Sequence, residues 1–378
     1  MEQIDTDIAI VGAGLSGLTL ARELARRGRA VCVLEARERI GGRILSPTDE
    51  KGDALPYDMG PAWIWPHNSG LLRLLSDLTI GTFPQFAEGK LAFEDPSGNV
   101  RRDLDFAPMA GSLRVVGGLD RVVRALADGL PPDTIRTGHA ATGIHWADSV
   151  KTVSGVGPKG AFSVRAEHIV LAVPPRVLAR DVTFSPALPG DLISAFRLVP
   201  TWMAGHAKLI AIYDRPFWRD MGLSGDAISH RGPLAEIHDA SPADSTTGAL
   251  FGFFGLAADA RRRAGEGLIP AALEQLQNLF GTGASGPKQV LLQDWADEVR
   301  TTVEADLTPP AGHPDYRRPA ALDRLSVHGL QFAGTELAPV EGGFLEGAVA
   351  AAHLALSGIV SGTGSVGSPD VATHADPR

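Results

Sequence analysis

From Asp7 to Arg43 the chain reads DIAIVGAGLSGLTLARELARRGRAVCVLEARERIGGR. Ile8, Ala9, Ile10 and Val11 form a continuous apolar run, the pattern of a strand buried on both faces. Gly12, Gly14 and Gly17 follow with G-x-G-x-x-G spacing. Gly12 permits the tight turn, Gly14 lets backbone approach a pyrophosphate, and Gly17 lets the next helix pack against the strand. Leu15, Leu18, Ala21, Leu24 and Ala25 predict an amphipathic helix from about Leu15 to Arg27, with Glu23 and Arg27 paired outside and Gly28 as C-cap. A second strand, Ala30 to Leu34, ends in Glu35, 18 residues after Gly17. A carboxylate there can accept the ribose hydroxyls of adenosine. Unrelated glycines with a surface glutamate would be the bland alternative. Strand, helix and acid in register instead predict a dinucleotide site, its phosphates at the helix N-terminus.

Gly41, Gly42 and Arg43 add a second glycine pair just past strand two, which a nicotinamide domain does not need. Flavoproteins of the glutathione reductase class place such a pair beside the diphosphate. The whole stretch resembles the flavin-containing amine oxidase family. The resemblance implies an α/β fold: a FAD-binding Rossmann-like domain of the glutathione reductase class, interleaved with a smaller α+β substrate domain.

The closing segment strengthens the resemblance. Gln331 to Ala352 is similar to the family's final signature, with Ala-Gly-Thr-Glu followed by Gly-aromatic-x-Glu-Gly-Ala. It implies that Gly334, Thr335 and Glu336 lie along the flavin phosphate and ribityl region. Gly343, Phe344 and Leu345 would open a helix aimed at the pyrimidine side of the ring. A helix N-terminus there stabilises negative charge that develops on flavin reduction. The same carry-over implies cofactor contacts at Ser16, Ala36, Arg37 and Ala141. Asp58 to Pro66, DMGPAWIWP, resembles the strand-loop beside the flavin, with Gly60, Pro61, Ala62 and Trp63 lining it and Trp63 facing the substrate. Trp65 is read as either a core or a site residue.

Lys208 lies in GHAKLIAIYDRPFW, similar to the family strand whose lysine holds a water at flavin N5 and assists reoxidation by O2. A lysine amid this apolar run is costly to bury; a strand lysine reaching solvent is the alternative. Trp295 resembles the tryptophan that precedes the flavin-flanking loop. Beyond it the chain departs from the pattern. Glu304 stands where monoamine oxidases carry the flavin-linked cysteine, Ala305 replaces one aromatic-cage tyrosine, and Phe344 replaces the other. The expected FAD is therefore non-covalent, and the cage is reduced to one phenyl ring. Glu304 is expected either near the flavin or facing solvent.

Composition bounds the rest. The chain has 378 residues and a formal net charge of −9. This fits two domains and argues against nucleic acid as a partner. The single cysteine, Cys32, excludes an intrachain disulfide, and its place in a strand makes it a small hydrophobe. The first strand begins so soon after Met1 that no signal peptide is expected. No apolar run reaches the roughly 18 residues of a membrane span, so a cytoplasmic protein with no membrane partner is expected. The histidines show no metal-ligand spacing, and no metal is expected.

The expected division is 1–66, 114–185 and 322–360 for the FAD domain, 67–113 and 186–321 for the substrate domain, and 361–378 for a disordered tail. The substrate domain is expected to be trimmed, since the chain is shorter than most of the family. Within these spans the sequence predicts a helix in LLRLLSDL, a hairpin in KLAFEDPSGNVRRDL and a helix from Asp120 to Gly129. It predicts a strand at Ile169–Val173 stopped by Pro174 and Pro175, strands at GHAKLIAIYDRPFW and GALFGFFGL, a helix at LIPAALEQLQNLF, and a final strand, loop and long helix. Implied partners are a small amine and O2, with Lys208, Phe344 and Trp63 as residues of the reaction. The amine and the oligomeric state, a homodimer included, stay open. Two other readings share the motifs: a flavin dehydrogenase or desaturase acting on C–C bonds, and a flavoprotein that binds partners without turnover.

Overall fold

The computed structural model describes residues 2–49, 51–52, 55–308 and 310–362. Two large sheets organise it. The first has eight strands. Its centre is Glu2–Val11, paired in parallel with Val31–Leu34 on one side and with Gly160–Leu171 on the other. Leu330–Phe332 pairs in parallel with the end of Gly160–Leu171, so the final third of the chain closes the sheet begun by its first strand. Parallel central strands buried on both faces demand apolar runs without alternation, as Ile8–Val11 and Ile169–Leu171 supply.

Helices cover both faces. Leu15–Ala25, Asp120–Asp128 and Leu345–Gly362 pack on one face through Leu18, Leu24, Val122, Leu126, Val349 and Ile359. Phe162, Leu178, Phe196, Leu325 and Phe332 fill the other. Cys32 is buried there, and burial pushes its thiol up to about 11.

The second sheet has seven strands, in the order Gln289–Asp294, Ala207–Tyr213, Gly248–Phe254, Leu234–Asp239, Leu223–Ser229, Lys90–Glu94, Val100–Leu104. The helix Leu268–Phe280 covers one face with Leu268, Ala272, Leu276 and Leu279 against Leu209, Ala211, Ile237 and Leu250. The opposite face carries Ile210, Ile212 and Phe251 and meets Tyr57 and Met59 from the segment after Arg43. The segment between the glycine turn and the first long helix of the middle region therefore lies between the two sheets.

Several expected bounds move. The first strand begins at Glu2 and the strand before Pro174 at Gly160, because their outer halves pair with each other. Pro175 does more than stop that strand: it occupies the first turn of a helix, Pro175–Asp181, where a missing N–H costs nothing. The Lys208 strand ends at Tyr213, and Phe217–Asp220 forms a short helix. The first helix stops at Ala25, before Arg27. The closing helix runs through Ser361 to Gly362, into the span expected as a disordered tail; residues 363–378 of that span lie outside the described residues. Among the described residues, no helix is long and apolar enough to cross a membrane.

Candidate functional site

The glycine turn at the end of the first strand is fixed by sterics. A Cβ on Gly12 would lie 2.6 Å from the Ala172 carbonyl oxygen, and Gly12 has φ +106°. A Cβ on Gly17 would lie 2.0 Å from the Gly12 oxygen. Gly14 differs: its nearest heavy atom would be 3.9 Å away, on Gly41. Gly14 caps the Leu15–Ala25 helix without any side-chain cap bond. Open space in front of a helix N-terminus is an anion cradle. Gly41 closes it, since its N–H donates to the Ala13 carbonyl at 2.8 Å. Glu35 is 4 % exposed, and its two oxygens accept from the Ala13 and Arg37 N–H groups at 3.0 and 2.9 Å. That fixes the carboxylate at the end of the second strand. Arg37 is engaged elsewhere, by Glu298 at 2.9 Å and Thr301 at 2.7 Å. Ala36 lies between these two anchored residues. Ala141 stands two residues beyond His139, whose N–H donates to the Glu35 carbonyl at 2.8 Å.

The C-terminal motif meets this turn. Ser16 Oγ donates to the Ala333 carbonyl at 2.6 Å, 317 positions away. Gly334 must be glycine, because a Cβ would lie 2.7 Å from the Val173 oxygen. Thr335 Oγ1 donates to the Phe344 carbonyl at 2.9 Å, tying the two halves of the signature together. Glu336 is 1 % exposed; Oε1 faces Arg43 at 2.7 Å, and Oε2 has no hydrogen-bond partner among the described residues. A buried carboxylate oxygen left orphaned calls for a donor from a ligand. Gly343 adopts φ +82°, and the Leu345–Gly362 helix starts two residues later.

Between the sheets, the carbonyls of Asp58, Met59 and Gly60 are each held by a side chain from the second domain. Lys208 Nζ donates to Asp58 at 2.9 Å and to Gly60 at 2.6 Å, while Trp295 Nε1 donates to Met59 at 3.1 Å. Gly60 allows this approach: a Cβ would sit 1.9 Å from the Arg43 oxygen. Pro61 and Ala62 carry that backbone on to Trp63. Lys208 is 2 % exposed and lies over the Phe251 ring at 4.4 Å, so it does not reach solvent. Burial holds its pKa well below the ordinary lysine value, against the pull of Asp58. Burial likewise raises Asp58, whose Oδ1 accepts from the Leu119 N–H at 2.8 Å. Arg114, also buried, adds a second cation to this group and is spent on the Ser241 and Ala240 carbonyls. A neutral Lys208 spends both N–H bonds on the two carbonyls and keeps a lone pair free; a protonated one keeps a third N–H.

Trp63 is half-buried and packs against the cluster of Tyr57, Met59, Ile210 and Phe251. Its indole donates to Gln85 at 3.0 Å, and its ring lies 5.0 Å from His238 and 5.2 Å from Phe251. Trp65 is half-buried and stacks at 6.5 Å on His67.

Sequence reasoning missed three groups. Phe344, 44 % exposed, is not a lone ring: His313 stacks on it at 4.3 Å with 8° between planes, and Trp202 stands edge-on to His313 at 4.9 Å. At that separation nothing fits between Phe344 and His313. Glu304 is exposed; the buried acid of that turn is Asp306, which binds Arg176 and accepts from the Thr201 N–H at 3.0 Å. Ala305 is exposed and gives its carbonyl to Arg176 at 3.1 Å. The third group is Asp226, Glu236 and His238 beside Trp63. No sequence spacing marks His313 or this trio, since each is assembled across strands or loops.

A flavin dinucleotide fits this chain: the Gly14 cradle has the space, and the orphaned Glu336 oxygen lacks a donor. The model of the family described as flavin containing amine oxidoreductase matches residues 15–110 and 90–355, and the chain belongs to that family of oxidoreductases. Putrescine oxidase of Kocuria rosea is 26 % identical, covering 95 % of this chain and 97 % of that protein. That alignment runs over 478 positions, more than this chain holds, so the relative carries insertions absent here. The flavin-containing amine oxidase B of Sus scrofa is 24 % identical over 95 % of this chain and 87 % of its own. An L-amino acid dehydrogenase of Synechocystis is 25 % identical over 94 % of each. A structure of putrescine oxidase bound to putrescine shares the fold, with a TM-score of 0.79 at 22 % identity over 95 % of this chain and 100 % of that one.

Proposed function

We propose that this protein oxidises a small amine to an imine by hydride transfer to N5 of FAD, with O2 as terminal oxidant and H2O2 as product. The amine loses a hydride and a proton, O2 gains two electrons and two protons, and water hydrolyses the imine. Bound FAD supplies the two-electron acceptor; the protein orients and tunes it. The single observation that carries this reading is Lys208, buried and held by the carbonyls that flank Met59. A lysine so placed presents either a lone pair or an N–H to a water beside the flavin edge, and supplies positive charge when O2 takes electrons. Arg43 and the Gly14 cradle would hold the diphosphate of FAD, Glu35 its ribose, and the helix N-terminus after Gly343 would stabilise negative charge on the reduced ring.

The FAD is held without a covalent bond. Cys32, the sole cysteine, is buried in the first sheet with its thiol pushed up, far from thiolate reactivity. The same lone buried cysteine supports a reducing, cytoplasmic setting. We take 1–66, 114–185 and 322–360 as the FAD domain and 67–113 and 186–321 as the substrate domain. The strands each span gives to the two sheets support the division, while the helices Ser69–Asp77 and Gly190–Leu198 pack on the first sheet.

A second reading, an amine or amino-acid dehydrogenase that passes electrons to another acceptor, is favoured by the relative named L-amino acid dehydrogenase. Both readings meet one experiment: anaerobic stopped-flow mixing with primary, secondary and polyamines and amino acids, followed by H2O2 assay in air. Flavin bleaching by an amine with stoichiometric H2O2 is expected. Bleaching without H2O2 selects the dehydrogenase, and bleaching only by a non-amine overturns the proposal.

A further inference from the structure

Strand register places four ionisable side chains on one face of the second sheet. Lys208 and Glu236 both pair with Phe253, from opposite sides. They therefore stand in one row, two strand spacings apart, roughly 10 Å. His238, two residues beyond Glu236, points to the same face. On the next strand Ala227 pairs with Ile237, which sets Asp226 opposite His238. This is the face that Trp63 covers, away from the helix Leu268–Phe280.

In the neighbouring row, opposite Phe251, Asp226 and His238 are each 1 % exposed. His238 Nδ1 lies 2.9 Å from Asp226 Oδ1. Nε2 lies 3.4 Å from Glu236 Oε1, a charge contact rather than a short hydrogen bond. The Glu236 side chain is 46 % exposed, so this chain of groups runs from the core to an open carboxylate. A buried carboxylate needs a partner that carries charge, and the imidazole is that partner. The other rings against His238 are Trp63 and Phe251. Lys208 lies on the far side of Phe251, and the adjoining Asp239 is occupied by Trp218 and Arg219.

We propose that the buried Asp226–His238 pair is a positioning device for the substrate face, holding the Glu236 carboxylate and the Trp63 ring so that the site prefers an amine bearing a second positive charge. The inference rests on the amine-oxidising reading and names the substrate class for it. The trio sets two carboxyl groups against one imidazole, and its open end is Glu236. Burial lowers the His238 pKa, but the Asp226 hydrogen bond and the charge of both carboxylates hold it above its ordinary value, while His238 holds Glu236 below its own.

The test uses the holoenzyme with His238→Gln and, because that variant risks misfolding, the isosteric Asp226→Asn. KM and kcat are compared for 1,4-diaminobutane and 1-aminobutane, with imidazole nitrogen NMR on the same proteins. The expected result is a diamine KM that rises about tenfold more than the monoamine KM, carried in KM rather than kcat. A wild-type His238 protonated on both nitrogens at pH 7, and a neutral ring in Asp226→Asn, are expected alongside it. Equal changes for both amines, or a His238 ring neutral in the wild type, overturn the proposal. If no amine is turned over, the amine-oxidising reading fails, and the NMR signal still decides whether the pair holds a proton.

Discussion

Lys208 Nζ lies 2.6 Å from the Gly60 carbonyl oxygen, across 148 positions of chain. The contact joins the substrate-domain sheet to the segment that follows the nucleotide turn. It places a cation whose pKa burial pushes well down where two domains meet. Replacing Lys208 by Met keeps the length and removes the charge. Reoxidation by O2 is expected to slow on the order of 100-fold, the size of losing one preorganised charge-stabilising group. Flavin reduction should slow much less. Stopped-flow measurement of the two half-reactions checks this, and an unchanged oxidative half-reaction removes Lys208 from the mechanism.

The Gly60 side of the same contact makes a stability prediction. A Cβ there would overlap the Arg43 carbonyl, at 1.9 Å, and backbone must move to relieve it. Gly60→Ala should cost about 2 kcal/mol through strain, a fall in Tm of roughly 3 °C. It should also loosen the flavin, seen as a rise in Kd on titration of the apoprotein. Gly286→Ala, with open space around its added Cβ, is the control.

Acid precipitation tests the mode of flavin attachment. With Cys32 buried in the first sheet and no other cysteine in the chain, trichloroacetic acid should leave the yellow flavin in the supernatant. A yellow pellet would refute non-covalent binding.

The pH dependence of stability follows from His238. Its folded pKa is raised, so the folded state binds the proton more tightly than the unfolded state. The resulting stabilisation is complete below the unfolded histidine pKa of about 6.5. It is lost as pH rises through the folded value. The difference in Tm between the wild type and His238→Gln should shrink between pH 6 and pH 9. A difference that stays constant over that range would show that His238 carries no extra proton in the fold.

Much of the proposed nucleotide site was legible because it is local. Gly12, Gly14, Gly17 and Glu35 follow one another within a strand, a turn, a helix and a strand, and each requirement is a backbone requirement that spacing alone expresses. The closing signature at Gly334–Glu336 was legible for the same reason. The expected lone Phe344 ring was different: His313, 31 positions earlier, supplies its partner from a loop with no periodicity. Glu304 was singled out by counting forward from Trp295, yet the turn buries Asp306, because that side chain caps the turn's own backbone and binds Arg176.

The sequence by itself therefore determined the flavin half of this protein: a parallel sheet, a phosphate cradle and a lysine too apolar in its surroundings to be idle. Only the tertiary structure decided which side chains share a face of the second sheet. Lys208, Glu236, His238 and Asp226 come from three strands, and strand alternation tells which face a residue takes only once pairing and register are known.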